Sequence, residues 1–286
     1  MIKKHQSRRN FIKLAGLGLA FGQTGNFAKS LSKNFSFQNI NSGKEKLAFG
    51  MCSYNFRNFP LSQALEMIKR VEIKRVSLKD VHLPLSSTKE EILKAAGAIK
   101  EAELELYTVG VVYMTSEDEI NRAFEYAKTL GVNIIVGVPE YSLLPFAERK
   151  VKDYNIKLAI HNHGPNDKRY PGPKDVYDRI KKMDSRVGMC LDIGHTMRLG
   201  IDPATAAEQY FDRLFDCHIK DVSKAAADGS TVEMGRGVID IPKFFKTLIR
   251  LNYKGTLAFE FEKDSKDPLA GVAESVGYAR GVLAVI

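Results

Sequence analysis

From Lys46 onward the chain repeats one pattern, a short apolar run followed by an amphipathic stretch with helical spacing. "LAFGMCS" precedes "LSQALEMIKRV", "KRVSLK" precedes "TKEEILKAAGAIKEA", "LELYTVGVV" precedes "SEDEINRAFEYAKTLG", and "NIIVGV" precedes "LLPFAERKVKDYN". The second half continues with "KLAIHN" and "KDVYDRIKKM", "VGMCLDI" and "ATAAEQYFDR", "LFDCHI" and "PKFFKTLIRL", then "TLAFEF" and "LAGVAESVGYARGVLAV", which makes eight units. Strict alternation implies parallel strands, because each helix carries the chain back across the sheet. Eight units within residues 46–286 suit closure into a (β/α)8 TIM barrel better than a doubly wound open sheet, the second-ranked fold. Local signals agree. Ser116 before "EDE" reads as an N-cap, and Gly131 reads as the stop of the same helix.

The N-terminus does not follow this pattern. Its first 25 residues set five basic and no acidic side chains before a weakly apolar, Gly-rich run, the arrangement of an export signal. We assign residues 1–28 to that signal, 29–45, rich in Ser, Asn, Gly and Lys, to a flexible linker, and 46–286 to the barrel. The apolar stretch Leu14 to Phe21 is too short to span a bilayer. Removing the signal takes Lys3, Lys4, Arg8, Arg9 and Lys13 with it, so the formal charge falls from +9 to +4. The basic excess is therefore a sorting feature, and no stripe of Lys and Arg with interleaved aromatics marks a nucleic-acid face. Cys52, Cys190 and Cys217 are odd in number and lack CxxC spacing, so a disulfide framework is not expected. No GxGxxG or P-loop fingerprint implies a nucleotide cofactor. Oligomeric state is not legible.

Candidate chemistry follows from strand phase. Side chains alternate faces along a strand, so in "KLAIHNHG" Ala159, His161 and His163 face the barrel axis while Leu158 and Ile160 face the helices. The same rule turns Val136 and Glu140 inward on the fourth strand and Cys190 and Asp192 on the sixth. On the seventh it turns Asp216, His218 and Lys220, and on the eighth Ala258, Glu260 and Glu262. Barrel chemistry sits at the C-terminal ends of the strands, and these groups lie there. Converging carboxylates repel and lose solvation, and one divalent cation is an economical compensation. A mixed carboxylate and imidazole set suits manganese, zinc, cobalt or iron more than calcium. Asp192, His218 and Glu260 are the expected ligands, with His161 or Glu140 completing the shell. Lys79 and His82 in "SLKDVHLP", Lys220, and Arg236 between two glycines in "MGRGVID" are candidate substrate contacts.

"SRRNFIK" resembles a twin-arginine (Tat) leader, which implies the Tat machinery as a partner and an exported, periplasmic or envelope location. With "LDIGH", "CHIKD" and "FEFE" in order on the last three strands, and with "LAIHNHGPND" and "GRGVIDIP", the chain after Lys46 resembles the sugar phosphate isomerases/epimerases of the xylose-isomerase-like barrel superfamily. That resemblance implies metal ligation by Asp192, His218 and Glu260 and substrate binding by His195. It also implies a glutamate at the end of the fifth strand that binds metal and moves a proton. His161 stands there instead, so two-base epimerisation lacks its usual second carboxylate.

The reading is a metal-dependent isomerase/epimerase acting on an unphosphorylated keto-sugar by proton abstraction next to a bound carbonyl. Glu260 or Glu140 is the expected base, and His163 a proton shuttle. A lyase that eliminates a β-substituent from a keto-sugar, inosose or 3-keto-glycoside is the alternative, and a non-catalytic sugar-binding barrel is a further one. A repair phosphodiesterase like endonuclease IV would need more His and Asp ligands and a DNA-binding surface.

Overall fold

The computed structural model describes residues 46–286. The expected export signal and linker lie outside them. The first strand, β1 (Ala48–Cys52), opens a barrel that continues through β2 (Arg75–Leu78), β3 (Glu105–Met114), β4 (Ile134–Pro139) and β5 (Lys157–His161). Strands β6 (Val187–Asp192), β7 (Leu214–Ile219) and β8 (Thr256–Phe259) complete it. All eight pair in parallel with their sequence neighbours, and β8 pairs with β1 to close the ring. The expected barrel is the observed one.

Helices α1 (Leu61–Arg70), α2 (Lys89–Glu101), α3 (Glu117–Leu130), α4 (Leu144–Tyr154) and α5 (Pro173–Ile180) follow the first five strands. Two short helices, α6 (Ile193–Arg198) and α7 (Pro203–Gln209), follow β6, and α8 (Ile241–Arg250) and α9 (Leu269–Val285) follow β7 and β8. The caps read from sequence are present. Ser116 Oγ accepts from Glu119 N at 3.2 Å, and Gly131 ends α3 in the left-handed region at φ 75°. The outward residues of the strands join the buried helix faces in one large core, while Val136, Ala159 and Cys190 form a separate small layer. Those three share the phase of His161 and Asp192, so the apolar layer lies along the axis below the polar ends.

The long connection from β7 to α8 is held by one side chain. Asp221 is buried, and its Oδ1 accepts from the backbone of Val222 (2.9 Å) and Ile239 (3.1 Å) while Oδ2 accepts from Gly235 (2.9 Å) and Gly237 (3.0 Å). Gly237 packs directly against that carboxylate, where a Cβ would collide with it. The "GRG" glycines thus serve Asp221 and do not make room for a ligand. Asp221→Ala leaves four backbone N–H groups, two of them buried, without this acceptor, and we expect it to lower unfolding free energy by about 2 kcal/mol in urea titrations. Asp221→Asn, which keeps acceptor capacity on one atom, should cost less.

Candidate active site

The run "HNHG" ending β5 serves four separate purposes. His161 turns into the axis. Asn162, on the other face, clamps the next strand: Asp192 N donates to its Oδ1 at 2.9 Å and its Nδ2 donates to Thr196 Oγ1 at 3.2 Å. His163 reaches the mouth, where its Nε2 meets the Tyr113 hydroxyl at 3.1 Å. Gly164 adopts φ 90°, and a Cβ there would stand 3.1 Å from His195 Nδ1, so glycine lets the two loops approach.

Register sets the rest. Asp192 on β6 lies beside His218 on β7, and His218 lies beside Ala258, two residues before Glu260. One ligand atom from each of His161, Asp192, His218 and Glu260 fits within 4.8 Å of the others, and all four residues are buried. His161 Nε2 faces His218 Nδ1 at 2.9 Å and Asp192 Oδ2 at 3.5 Å, and His218 Nδ1 is 3.3 Å from Glu260 Oε1. Asp192 also caps α6, where its Oδ1 accepts from His195 N at 2.7 Å. That leaves Oδ2 to face His161 and the Lys220 ammonium, at 3.5 and 3.1 Å, while His161 Nδ1 and His218 Nε2 are buried without partners. Burial pushes His161 down to about 3 and lowers His218, so both rings are neutral, the form that binds a cation. Two neutral imidazoles and two carboxylates converging on one point fit a divalent metal of borderline softness.

The carboxylates also have partners that phase alone did not assign to them. Lys79 Nζ donates to Glu260 Oε1 at 3.0 Å, and Lys220 Nζ donates to Glu260 Oε2 at 2.9 Å. Lys220 Nζ lies 3.1 Å from Asp192 Oδ2 and also donates to Glu262. Burial works against both ammonium groups, but the surrounding negative charge, from Asp192, Glu260 and Glu262 at Lys220 and including Glu260 at Lys79, keeps both raised above the ordinary lysine value. Burial would likewise raise Glu260, yet His218, Lys220 and Lys79 outweigh it and hold the carboxyl well below its usual range. Beneath the cluster Asp216 accepts from the Tyr107 hydroxyl (3.3 Å to Oδ2), and burial pushes it up to about 7.

A cavity of about 350 Å³ opens over this cluster, lined by Lys79, His161, His163, His195, Glu260 and Glu262 together with Tyr54, Asp80, Val111 and Tyr113. A more open hollow of about 670 Å³ beside α9, lined by Glu233 and Glu274 among others, contains none of the cluster residues. Burial pushes His163 to about 3 and lowers His195, so both present neutral rings.

Lys220, expected to touch substrate, is buried beside the cluster and does not line the cavity, and three other expected site residues are not brought to it. Glu140 lies at the end of β4, where the chain turns into a short 3-10 helix, and Arg169 donates to its Oε1 at 2.7 Å. It is absent from the four-residue cluster, so the structure does not gather it as a ligand or as a base. His82 engages both ring nitrogens elsewhere, with Ser53 Oγ at 3.0 Å and the Phe59 carbonyl at 3.1 Å. Arg236 forms an exposed two-pronged pair with Glu274 on α9. Conversely, Tyr113 was not singled out by the sequence, because the third strand was expected to end at Val112 whereas it runs to Met114.

Comparison with known proteins agrees with this architecture. An inosose dehydratase of Clostridium beijerinckii is 26% identical over 133 residues, which is 41% of this chain and 44% of that protein. The chain therefore spans less than half the length of the curated relatives it matches. The E. coli 3-keto-D-glucoside 4-epimerase is similar in structure over 83% of this chain and 100% of its own, at 18% identity and TM-score 0.65. The IOLI protein with a bound zinc atom is similar over 83% and 98%, at 16% identity and TM-score 0.70. At these identities the structural likeness speaks for the fold. The family described as xylose isomerase-like TIM barrel matches residues 61–282, and the chain belongs to it.

Proposed function

We propose that this chain is a divalent-metal-dependent enzyme that removes a proton next to the carbonyl of a keto-sugar or sugar derivative and then eliminates a β-substituent. The observation that carries this reading is the convergence of His161, Asp192, His218 and Glu260 on one buried point under a polar cavity. Those four side chains would hold the ion, and a divalent cation there supplies Lewis-acid polarisation of a bound carbonyl oxygen. Manganese, zinc, cobalt and iron all suit the donor set.

Glu260 is the cluster carboxylate that lines the cavity, which makes it the base. Two lysines pin it as an anion and weaken it, so it takes a proton only from a C–H that the adjacent carbonyl has made acidic. Lys79 and Lys220 add positive charge beside the oxygen where negative charge develops. On the far wall, the His163–Tyr113 pair is placed to deliver a proton to a departing oxygen.

Elimination is favoured over two-base epimerisation by the topology. The strand directly across the ring from β8 is β4, whose Glu140 is held by Arg169. Epimerisation is the second reading, with Tyr113 and His163 returning the proton to carbon on the opposite face. The partial match to inosose dehydratases supports the first reading, and the structural likeness to a 3-keto-D-glucoside 4-epimerase supports the second. The Tat-like leader supports an exported enzyme and hence an unphosphorylated substrate, since phosphorylated sugars are made inside the cell.

The test is incubation of the metal-loaded protein with ketoses, inososes and 3-keto-glycosides in D2O. Deuterium at the carbon next to the carbonyl in recovered substrate, from reversible proton removal, together with an unsaturated product that has lost the β-substituent, is the expected result. Binding without exchange or product across the panel would replace this reading with a non-catalytic sugar-binding barrel.

A further inference from the structure

The proposed chemistry uses Glu260 on one wall and the His163–Tyr113 pair on the other, and leaves Tyr54 and Asp80 without a role. The ends of β1, β2 and β3 contribute Tyr54, Asp80 and Tyr113 to the cavity lining. Tyr54 and Tyr113 are 37% and 48% exposed, although large aromatic side chains gain most from burial. Both rings are braced. The Arg57 guanidinium lies 4.7 Å from the Tyr54 ring centre and donates to the Glu262 carbonyl at 2.9 Å. Arg169 lies 5.4 Å from the Tyr113 ring centre while it holds Glu140. Fixing an exposed ring in this way removes the entropy a ligand would otherwise have to freeze.

Asp80 stands between the two tyrosines in the order of the strands. One carboxylate oxygen accepts from Val81 N at 2.9 Å, and among the described residues no cation pairs with it. Tyr113 is also stacked on His163, with ring centres 5.6 Å apart, so the Tyr54 ring and the Asp80 carboxylate are the open groups of this rim, and together they match a sugar ring or an aromatic aglycone, with polarised C–H groups for the ring and hydroxyl donors for the carboxylate. The cavity volume, at the lower end of the roughly 300–1,000 Å³ typical of pockets for drug-sized ligands, also suits more than one ring.

We propose that the site takes its sugar as a glycoside: the reacting ring sits at the His161–Asp192–His218–Glu260 end, and the second ring or aglycone lies on the Tyr54–Asp80–Tyr113 rim. This rests on the function proposed above and narrows its substrate class. The reacting end alone would serve a free monosaccharide equally well.

The experiment is calorimetric titration of the metal-loaded protein with 3-keto-D-glucose and with its phenyl β-glycoside, alongside deuterium exchange on both. The glycoside should bind about tenfold more tightly than the free sugar, as one stacked aromatic contact predicts. Tyr54→Ala should cut that advantage to less than about threefold, and Tyr54→Phe, which keeps the ring, should preserve it. Equal affinity for the two ligands, exclusion of the glycoside, or no binding of either would overturn the proposal. Exchange on the free sugar without preference for the glycoside would keep the reaction and remove the rim. Preference for the glycoside without exchange on either would keep the rim and remove the reaction.

Discussion

Asp192→Asn should abolish tight retention of a divalent ion while leaving the barrel folded. The asparagine oxygen can still accept from His195 N, so the cap on α6 survives, whereas alanine would add a capping loss of about 0.5–2 kcal/mol. What the asparagine removes is the anionic Oδ2, the Asp192 oxygen that faces His161 and the Lys220 ammonium inside the cluster. Losing a group that merely supports a ligand costs 10–100-fold in metal affinity, and losing the ligand charge itself should exceed about 100-fold. Metal content by mass spectrometry after dialysis against manganese or zinc measures this, with circular dichroism as the control for folding. Wild-type occupancy in the variant would move the ion elsewhere. Removal of metal from the wild type should also lower thermal stability, because an ion present at about 1,000 times its Kd adds roughly 4 kcal/mol to the folded state.

Most of the barrel and the level of its chemistry were legible because both follow from short-range rules. Period-two alternation placed His161, Asp192, His218 and Glu260 on one face, and strict β–α order placed that face at one end of a closed ring. Pairings between distant loops were not legible. Glu140 has the right phase, but Arg169 from the next loop pairs with it, and no local pattern announces that contact. His82 and Arg236 also carry suitable groups, yet their partners are Ser53, Phe59 and Glu274, contributed by other segments. The glycines beside Arg236 suggested ligand access, whereas they make room for a buried carboxylate on Asp221.

Charge balance was the subtler omission. Converging carboxylates led to the expectation of a metal as their economical compensation, but Lys79 and Lys220 already lie within ion-pair distance of Glu260 and Asp192. Neutralisation therefore does not by itself argue for a cation. The stronger support is the pair of neutral imidazoles that face each other at 2.9 Å, since the Lys79 and Lys220 hydrogen bonds go to the carboxylates and, among the described residues, neither lysine donates to a ring nitrogen of His161 or His218.

Glu260→Gln should reduce exchange at the carbon next to the substrate carbonyl by about 10²–10⁴-fold, the usual contribution of a positioned general base. The amide keeps the shape of the side chain and one acceptor for the lysines, so loss of packing is small. It cannot take a proton. Because Glu260 belongs to the metal cluster, the comparison is made at saturating metal, with occupancy measured in the same samples. A variant that holds its ion and binds sugar yet exchanges no deuterium identifies Glu260 as the base. Tyr113→Phe supplies the complementary case: it removes the hydroxyl that meets His163 while leaving Glu260 and the cluster intact. Exchange should then persist while release of the β-substituent slows, because removal of the proton and departure of the leaving oxygen are assigned to opposite walls of the cavity. Wild-type exchange in Glu260→Gln at full occupancy would transfer the base role to one of the neutral histidines, His163 or His195. Parallel loss of exchange and elimination in Tyr113→Phe would place both steps on the same residue pair.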